Sequence, residues 1–173
     1  FVILVILLVL YIVHENYRRD QELMKYAQTD ALTGLYNKET TKLRTDEILS
    51  TDKDMIHAFL ILDMDCFKQI NDGYGHAVGD IVLQKFGQLL RDIFREDDIV
   101  GRIGGDEFVV VMKNIKMKEM AIAKEEELLT KTQQYEIKEL NGSAISISIG
   151  IAMAPEDGDC YMDLYKRADQ ALY

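Results

Sequence analysis

Ile56 to Leu62 is almost continuously apolar, the pattern of a central strand buried on both faces, and it ends abruptly in Asp63-Met64-Asp65. His76 to Phe94 repeats its apolar residues at helical spacing, with Val78, Val82, Phe86, Leu89 and Ile93 on one face. Ile99 to Ile103 and Phe108 to Met112 read as the two arms of a hairpin whose tip is Gly104-Gly105-Asp106-Glu107. Ser143 to Met153 alternates, with Ile145, Ile147, Ile149 and Ile151 on one side. Ser146, Ser148 and Gly150 on the other side are small enough to let a helix pack closely. Asn141-Gly142 predicts a tight turn joining that strand to another over Tyr135 to Leu140. Helices are predicted near Asn37 to Leu49, Phe67 to Ile70, Lys116 to Thr132 and Asp159 to Tyr173, with Asn71 to Gly75 as a loop. The sum is α+β: a mainly antiparallel five-stranded sheet with packed helices, preceded by a helical stalk.

The amino end has a different pattern. Phe1 to Val13 is apolar without a charge or a glycine, against the roughly 20 residues that a membrane-crossing helix needs. It reads as the last part of such a helix, the alternatives being a buried core helix or the middle of a signal peptide; no small-residue cleavage site comes after it. Tyr11 suits the interface, and Arg18 and Arg19 place the rest of the chain in the cytoplasm by the positive-inside bias. Over His14 to Thr29, Leu10, Tyr17, Met24 and Ala31 share one heptad position and Val13, Asp20 and Ala27 the other. That seam is short and holds an acid, which leaves a dimeric signalling helix or a solvated linker helix open. The expected organisation is therefore 1–13 as the end of a transmembrane helix, 14–29 as a linker and 30–173 as one domain.

With 173 residues, 48% of them hydrophobic, the chain can bury one good core. A net charge of −10 argues against nucleic acid as a partner, because displacing counterions from phosphate needs a basic surface. A nucleotide would have to be met through metal. Cys66 and Cys160 match no zinc or redox spacing and read as free thiols.

The hairpin tip sets two carboxylates beside bare glycine backbone, in a turn where a Cβ is expected to be strained. Such a tip is either an ordinary acidic turn or a holder for a divalent cation that lets a polyphosphate come near. Three motifs together resemble the GGDEF family of diguanylate cyclases: Asp63-x-Asp65-x-Phe67-Lys68-x-Ile70-Asn71-Asp72, then Gly75-His76-x-x-Gly79-Asp80, then Gly104-Gly105-Asp106-Glu107-Phe108.

The resemblance covers roughly Asp30 to Tyr173 and implies a palm-like fold, as in polymerases and nucleotide cyclases. It implies an activity in which two GTP give cyclic di-GMP and two pyrophosphates. Asp63, Asp106 and the backbone carbonyl of Met64 are the implied metal ligands, for two Mg²⁺ per half-site with Mn²⁺ as a substitute. Asp106 is the implied base, with Glu107 a supporting acid. Asn71 and Asp80 suit guanine; His76, Gly104 and Gly105 line the same site; Lys68 either neutralises phosphate or pairs with a nearby acid.

Arg95-Glu96-Asp97-Asp98 resembles the family's inhibitory site, in which Arg95 and Asp98 would bind the guanines of cyclic di-GMP, the alternative being a surface ion pair. Asp30-Ala31-Leu32-Thr33-Gly34-Leu35-Tyr36-Asn37 resembles the hinge that opens the catalytic domain. A homodimer is expected, since each domain has one carboxylate set and one purine pocket, and the location implied is the inner membrane with the domain in the cytoplasm. Family members continue past Ala171-Leu172-Tyr173 into a Lys and an Arg that hold phosphates, so the chain is expected to be incomplete at both ends and weak or inactive as it stands. The reading from another class is a catalytically silent receptor for GTP or cyclic di-GMP; a third is a cyclase making a mixed or adenine dinucleotide.

Overall fold

The apolar run from Ile56 becomes the inner strand of a sheet. A computed structural model of the chain describes residues 2–135, 137–140 and 145–172. Strand β1 (Ile56–Met64) pairs antiparallel with β3 (Glu107–Ile115) on one side and with β4 (Ile147–Ala154) on the other. Strand β2 (Ile99–Arg102) pairs with the outer edge of β3, giving the order β2-β3-β1-β4. Two-sided burial of β1 explains why its sequence shows no alternation: Ala58 to Leu62 are all inaccessible, and successive side chains enter different cores.

Leu60 and Leu62 point with Phe108 and Val110 into a core closed by α4 (His76–Ile93) and α5 (Glu119–Gln134). Phe86 of α4 meets Phe108 edge-on at 4.9 Å. Phe59 and Ile61 point with Val109 and Val111 into a second core, closed by α2 (Lys38–Thr51) and α6 (Tyr161–Leu172). The expected close packing on β4 occurs at Gly150, where a Cβ would overlap the carbonyl of Ala168 in α6.

The sheet has four strands among the described residues, not five. The segment read as a strand over Tyr135 to Leu140 instead contains a single 3₁₀ turn, Lys138–Leu140. Ile137 and Leu140 stand three apart, the spacing that such a turn brings to one side, and both are buried in the first core. The Asn141-Gly142 turn lies outside the described residues. The short helix expected over Phe67 to Ile70 runs on as α3 (Phe67–Tyr74), so most of the predicted loop is helical and the chain breaks at Gly75, whose φ is +87°.

At the amino end, the apolar segment and the linker form one continuous helix, α1 (Val2–Gln28). At 27 residues it extends about 40 Å. Among the described residues no helix is long and apolar enough to cross a membrane. Asn37 ties this helix to the domain: its Nδ2 donates to the Ala27 carbonyl (2.8 Å) while its Oδ1 accepts from the Thr40 amide (3.0 Å) and caps α2.

Candidate functional site

Register brings the two acidic motifs together. Asp63 lies opposite Glu107 in the β1–β3 ladder, so the end of the central strand sits beside the tip of the β2–β3 hairpin. Asp63, Asp106 and Glu107 are all partly accessible at this edge. Burial holds the Asp63 carboxyl above the usual carboxylate range, and the negative charges of Asp106, Glu107 and Asp65 push it the same way. Among the described residues Asp63 forms no ion pair, and it has several acidic neighbours. Hard oxygen donors in mutual repulsion fit a divalent cation with oxygen preference. The three acids do not converge as closely as Asp159, Cys160 and Asp163, whose ligand atoms all lie within 4.8 Å of one another.

The turn differs in one respect from the sequence expectation. Neither Gly104 nor Gly105 occupies the left-handed region, and a Cβ at Gly105 would meet nothing within 4 Å. Glycine is not needed here for backbone strain; its effect is to leave the main chain bare beside the carboxylates.

The tip is fixed by a residue to which sequence reasoning gave no role. Arg102 donates through Nε and Nη2 to the Gly105 carbonyl (3.0 and 2.8 Å) and through Nη1 to both oxygens of Asp30 (3.1 and 3.2 Å). Asp30 also accepts from the Thr33 amide and hydroxyl (2.9 and 2.7 Å). The turn after α1 is thus bonded to the hairpin that carries Asp106. A pairing across 72 positions leaves no periodic trace in a sequence.

Burial alone would raise the Asp30 carboxyl; the Thr33 donors and the Arg102 guanidinium outweigh it and hold Asp30 below the usual range. A depressed carboxyl contributes stability that is present above the unfolded-state pKa and is lost as pH falls through the folded one. Asp30→Asn is expected to cost about 1–2 kcal/mol at neutral pH. The gap from wild type should close below pH about 4, as measured by denaturant unfolding across pH; a gap that stays constant into acid would contradict the linkage.

The purine-binding candidates gather where α3 meets α4. Gly79 is buried, and a Cβ there would overlap Asn71 Oδ1 and stand 3.1 Å from its Cγ, so the Asn71 amide is packed directly on the α4 backbone one residue before Asp80. His76, Asp80 and Lys68 are exposed at this corner. Lys68 enters none of the ion pairs of the described residues. Met64 has a buried side chain and comes directly after Asp63 at the strand end. Asp65 is engaged elsewhere, accepting from the hydroxyls of Ser146 and Ser148 and so holding β4 to the start of α3.

Arg95 and Asp98 are not an ion pair. Asp98 is 9% exposed, and its carboxylate accepts from the main-chain amides of Arg95 and Lys113, each at 3.0 Å. Its role is to close the turn after α4 and attach it to β3. The Arg95 side chain is left to line a cleft of about 380 Å³, with Gly34, Tyr36, Arg91 and Val100 among its other walls.

Comparison with known proteins agrees with this geometry. The family model described as "Diguanylate cyclase, GGDEF domain" matches residues 27–173. Diguanylate cyclase DgcS of Shewanella oneidensis is 35% identical over 161 residues, which are 91% of this chain and 52% of that protein. The chain thus spans about half of that relative, and less of several others. The solved GGDEF domain of TpbB from Pseudomonas aeruginosa is 36% identical, with a TM-score of 0.77 over 84% of this chain and 86% of that one. The coiled coil and GGDEF domain of DgcB from Caulobacter crescentus, solved with cyclic di-GMP, covers 95% of this chain and 88% of its own at a TM-score of 0.85. At 23% identity that likeness is one of fold. A strand end and a hairpin tip that set Asp63 opposite Glu107, a corner that packs Asn71 on Gly79 next to Asp80, and a family match over residues 27–173 lead to one conclusion: the chain belongs to the GGDEF family of diguanylate cyclase domains.

Proposed function

We propose that the protein is a diguanylate cyclase that condenses two GTP into cyclic di-GMP and two pyrophosphates. The observation that carries this reading is the pairing of Asp63 with Glu107 in the strand register, which sets Asp63 one residue along from Asp106, together with the charge repulsion from Asp106, Glu107 and Asp65 that Asp63 feels. Mg²⁺, or Mn²⁺, held by Asp63, Asp106 and the Met64 carbonyl would supply charge stabilisation of the attacking and leaving oxygens.

The other steps belong to the chain's own groups. Asp106 accepts the proton of the 3′-hydroxyl as that oxygen attacks an α-phosphate, and Glu107 supports it. Gly104 and Gly105 let the phosphates lie against main chain, with Lys68, unpaired among the described residues, as a counter-charge. Asn71 offers an amide to guanine acceptors and Asp80 a carboxylate to its N1 and N2 donors, with His76 beside them. One such half-site holds one GTP, so closing a symmetrical ring takes two domains face to face, and the protein works as a homodimer brought together through α1. The apolar residues of α1 also fit the end of a membrane anchor, with the domain on the cytoplasmic side of the inner membrane.

Product inhibition is assigned to the Arg95 cleft. An arginine bonds bidentately to guanine O6 and N7, and Arg95 has no carboxylate partner among the described residues. Because Asp98 closes a turn, its replacement would unsettle the fold, and Arg95→Ala is the cleaner variant. Its initial rate is expected to match wild type while inhibition by added cyclic di-GMP weakens at least tenfold; inhibition of unchanged strength would remove the assignment. Incubating the full-length protein with Mg²⁺ and either GTP or ATP, and identifying products by mass, tests the reaction itself. Cyclic di-GMP from GTP alone is expected. An adenine or mixed product would move specificity away from Asp80 and Asn71, and tight GTP binding without turnover would favour a receptor.

A further inference from the structure

The cleft beside Arg95 has a second guanidinium in its wall. Arg91 stands in the last turn of α4 and lines the same space as Gly34, Tyr36 and Arg95. Its Nη2 donates to the carbonyl of Thr33, in the turn that joins α1 to the domain. At Gly34 the turn has φ +68°, and a Cβ there would stand 2.9 Å from Arg91 Nη2, so guanidinium and turn backbone touch where only glycine is unstrained. Arg91 forms no ion pair among the described residues.

A guanidinium carries five donors and is fully satisfied only by several acceptors. A bond to one neutral carbonyl is weaker than bonds to an anion, which are charge-assisted and often bidentate. Asp98, an acid of the same cleft wall, has both oxygens accepting main-chain amides. The cleft wall thus holds two arginines and, besides Asp98, the acid Glu96, with Tyr36 alongside, its ring capped by the Arg44 guanidinium at 4.5 Å; the two guanidiniums are the groups suited to an anionic ligand.

We propose that Arg91 is a ligand-contacting residue of this cleft, binding a phosphodiester oxygen or a guanine acceptor of cyclic di-GMP in exchange for its bond to the Thr33 carbonyl. The inference rests on the reading of the Arg95 cleft as a cyclic di-GMP site. Ligand and turn then compete for one guanidinium, so a filled cleft loosens the turn, and whatever loosens the turn tightens the cleft by the same factor.

The test uses the full-length protein and calorimetric titration with cyclic di-GMP and, separately, GTP. Arg91→Gln is expected to weaken cyclic di-GMP about tenfold while leaving GTP unchanged, and Arg91→Lys, which keeps the charge but not the planar fork, to fall between. Hydrogen exchange supplies a readout that a merely structural arginine would not move. The Gly34 amide, bonded to the Asp30 carbonyl at 2.8 Å, should exchange faster when cyclic di-GMP is added to wild type, and show no such response in Arg91→Gln.

Equal weakening of GTP and cyclic di-GMP, unchanged cyclic di-GMP affinity, or a Gly34 amide indifferent to ligand in wild type would each overturn the inference. Arg95→Ala separates the two levels. If it too leaves cyclic di-GMP affinity unchanged, the cleft reading falls and takes the inference with it; if Arg95→Ala weakens binding and Arg91→Gln does not, the cleft stands and only the role of Arg91 is lost.

Discussion

Replacing Asp63 with asparagine is expected to raise the thermal stability of the metal-free protein while removing turnover. Burial raises the Asp63 carboxyl, and Asp106, Glu107 and Asp65 add to the shift. A carboxyl whose folded pKa lies above its unfolded value gives stability only while protonated, and that stability is lost as pH rises through the folded pKa. At neutral pH the ionised group therefore costs stability, and a neutral side chain of the same shape relieves the cost. The melting temperature of Asp63→Asn should exceed that of wild type by a few degrees in chelator at neutral pH, an effect on the order of 1 kcal/mol. The difference should fade in acid, where wild-type Asp63 is itself protonated. Adding Mg²⁺ or Mn²⁺ should stabilise wild type and leave the variant where it was. Turnover should fall by about 10³-fold or more, the scale of losing a ligand to a catalytic charge. A variant less stable than wild type without metal, or one within tenfold of wild-type turnover, would show that Asp63 is a structural acid.

Gly79→Ala should raise the KM for GTP at least tenfold without lowering stability. Alanine is the better helix former by about 1 kcal/mol, so backbone preference alone predicts a gain in α4. The added methyl, however, would overlap Asn71 Oδ1 and stand 3.3 Å from the Phe67 ring, and the amide is the part free to move. Displacing it takes the amide away from the guanine position while Asp80 stays. The effect should be non-additive with Asn71→Ala: once the amide is gone, the methyl has nothing to displace. Steady-state kinetics of the two single variants and the double variant check this. An unchanged KM in Gly79→Ala would mean that Asn71 does not meet the base.

The parts of the fold that were legible in the sequence came from local pattern. The run from Ile56 and the face of Val82 and Phe86 report which side chains are buried, and those two elements formed as expected; among the described residues the alternating segment is a strand over Ile147–Ala154, with Ile145 and Ser146 outside it and Ile149 and Ile151 only partly buried. Tyr135 to Leu140 misled because a few apolar residues without sustained alternation satisfy a strand and a 3₁₀ turn equally; burial of Ile137 and Leu140 decided it. The predicted loop after Ile70 failed because Gly73 is tolerated within a helix, and only Gly75, with its positive φ, ends one.

Within the site, residue types named the acids and the purine corner, but the meeting of Asp63 with Glu107 came from strand register. The bonds from Arg102 to Asp30 and from Arg91 to Thr33 cross long stretches of chain and have no signature in spacing. Asp98 was legible as a motif member but not as a turn residue with both oxygens bound by main-chain amides.

All of this turns on one ion being shared between a strand end and a hairpin tip. Manganese paramagnetic resonance on the full-length protein with 3′-deoxy-GTP, which binds but cannot close the ring, measures that sharing without turnover. Asp63→Asn and Asp106→Asn should each weaken protein-bound Mn²⁺ by about tenfold or more, and the double variant should lose little beyond either one; manganese bound as tightly in either single variant as in wild type would contradict the account.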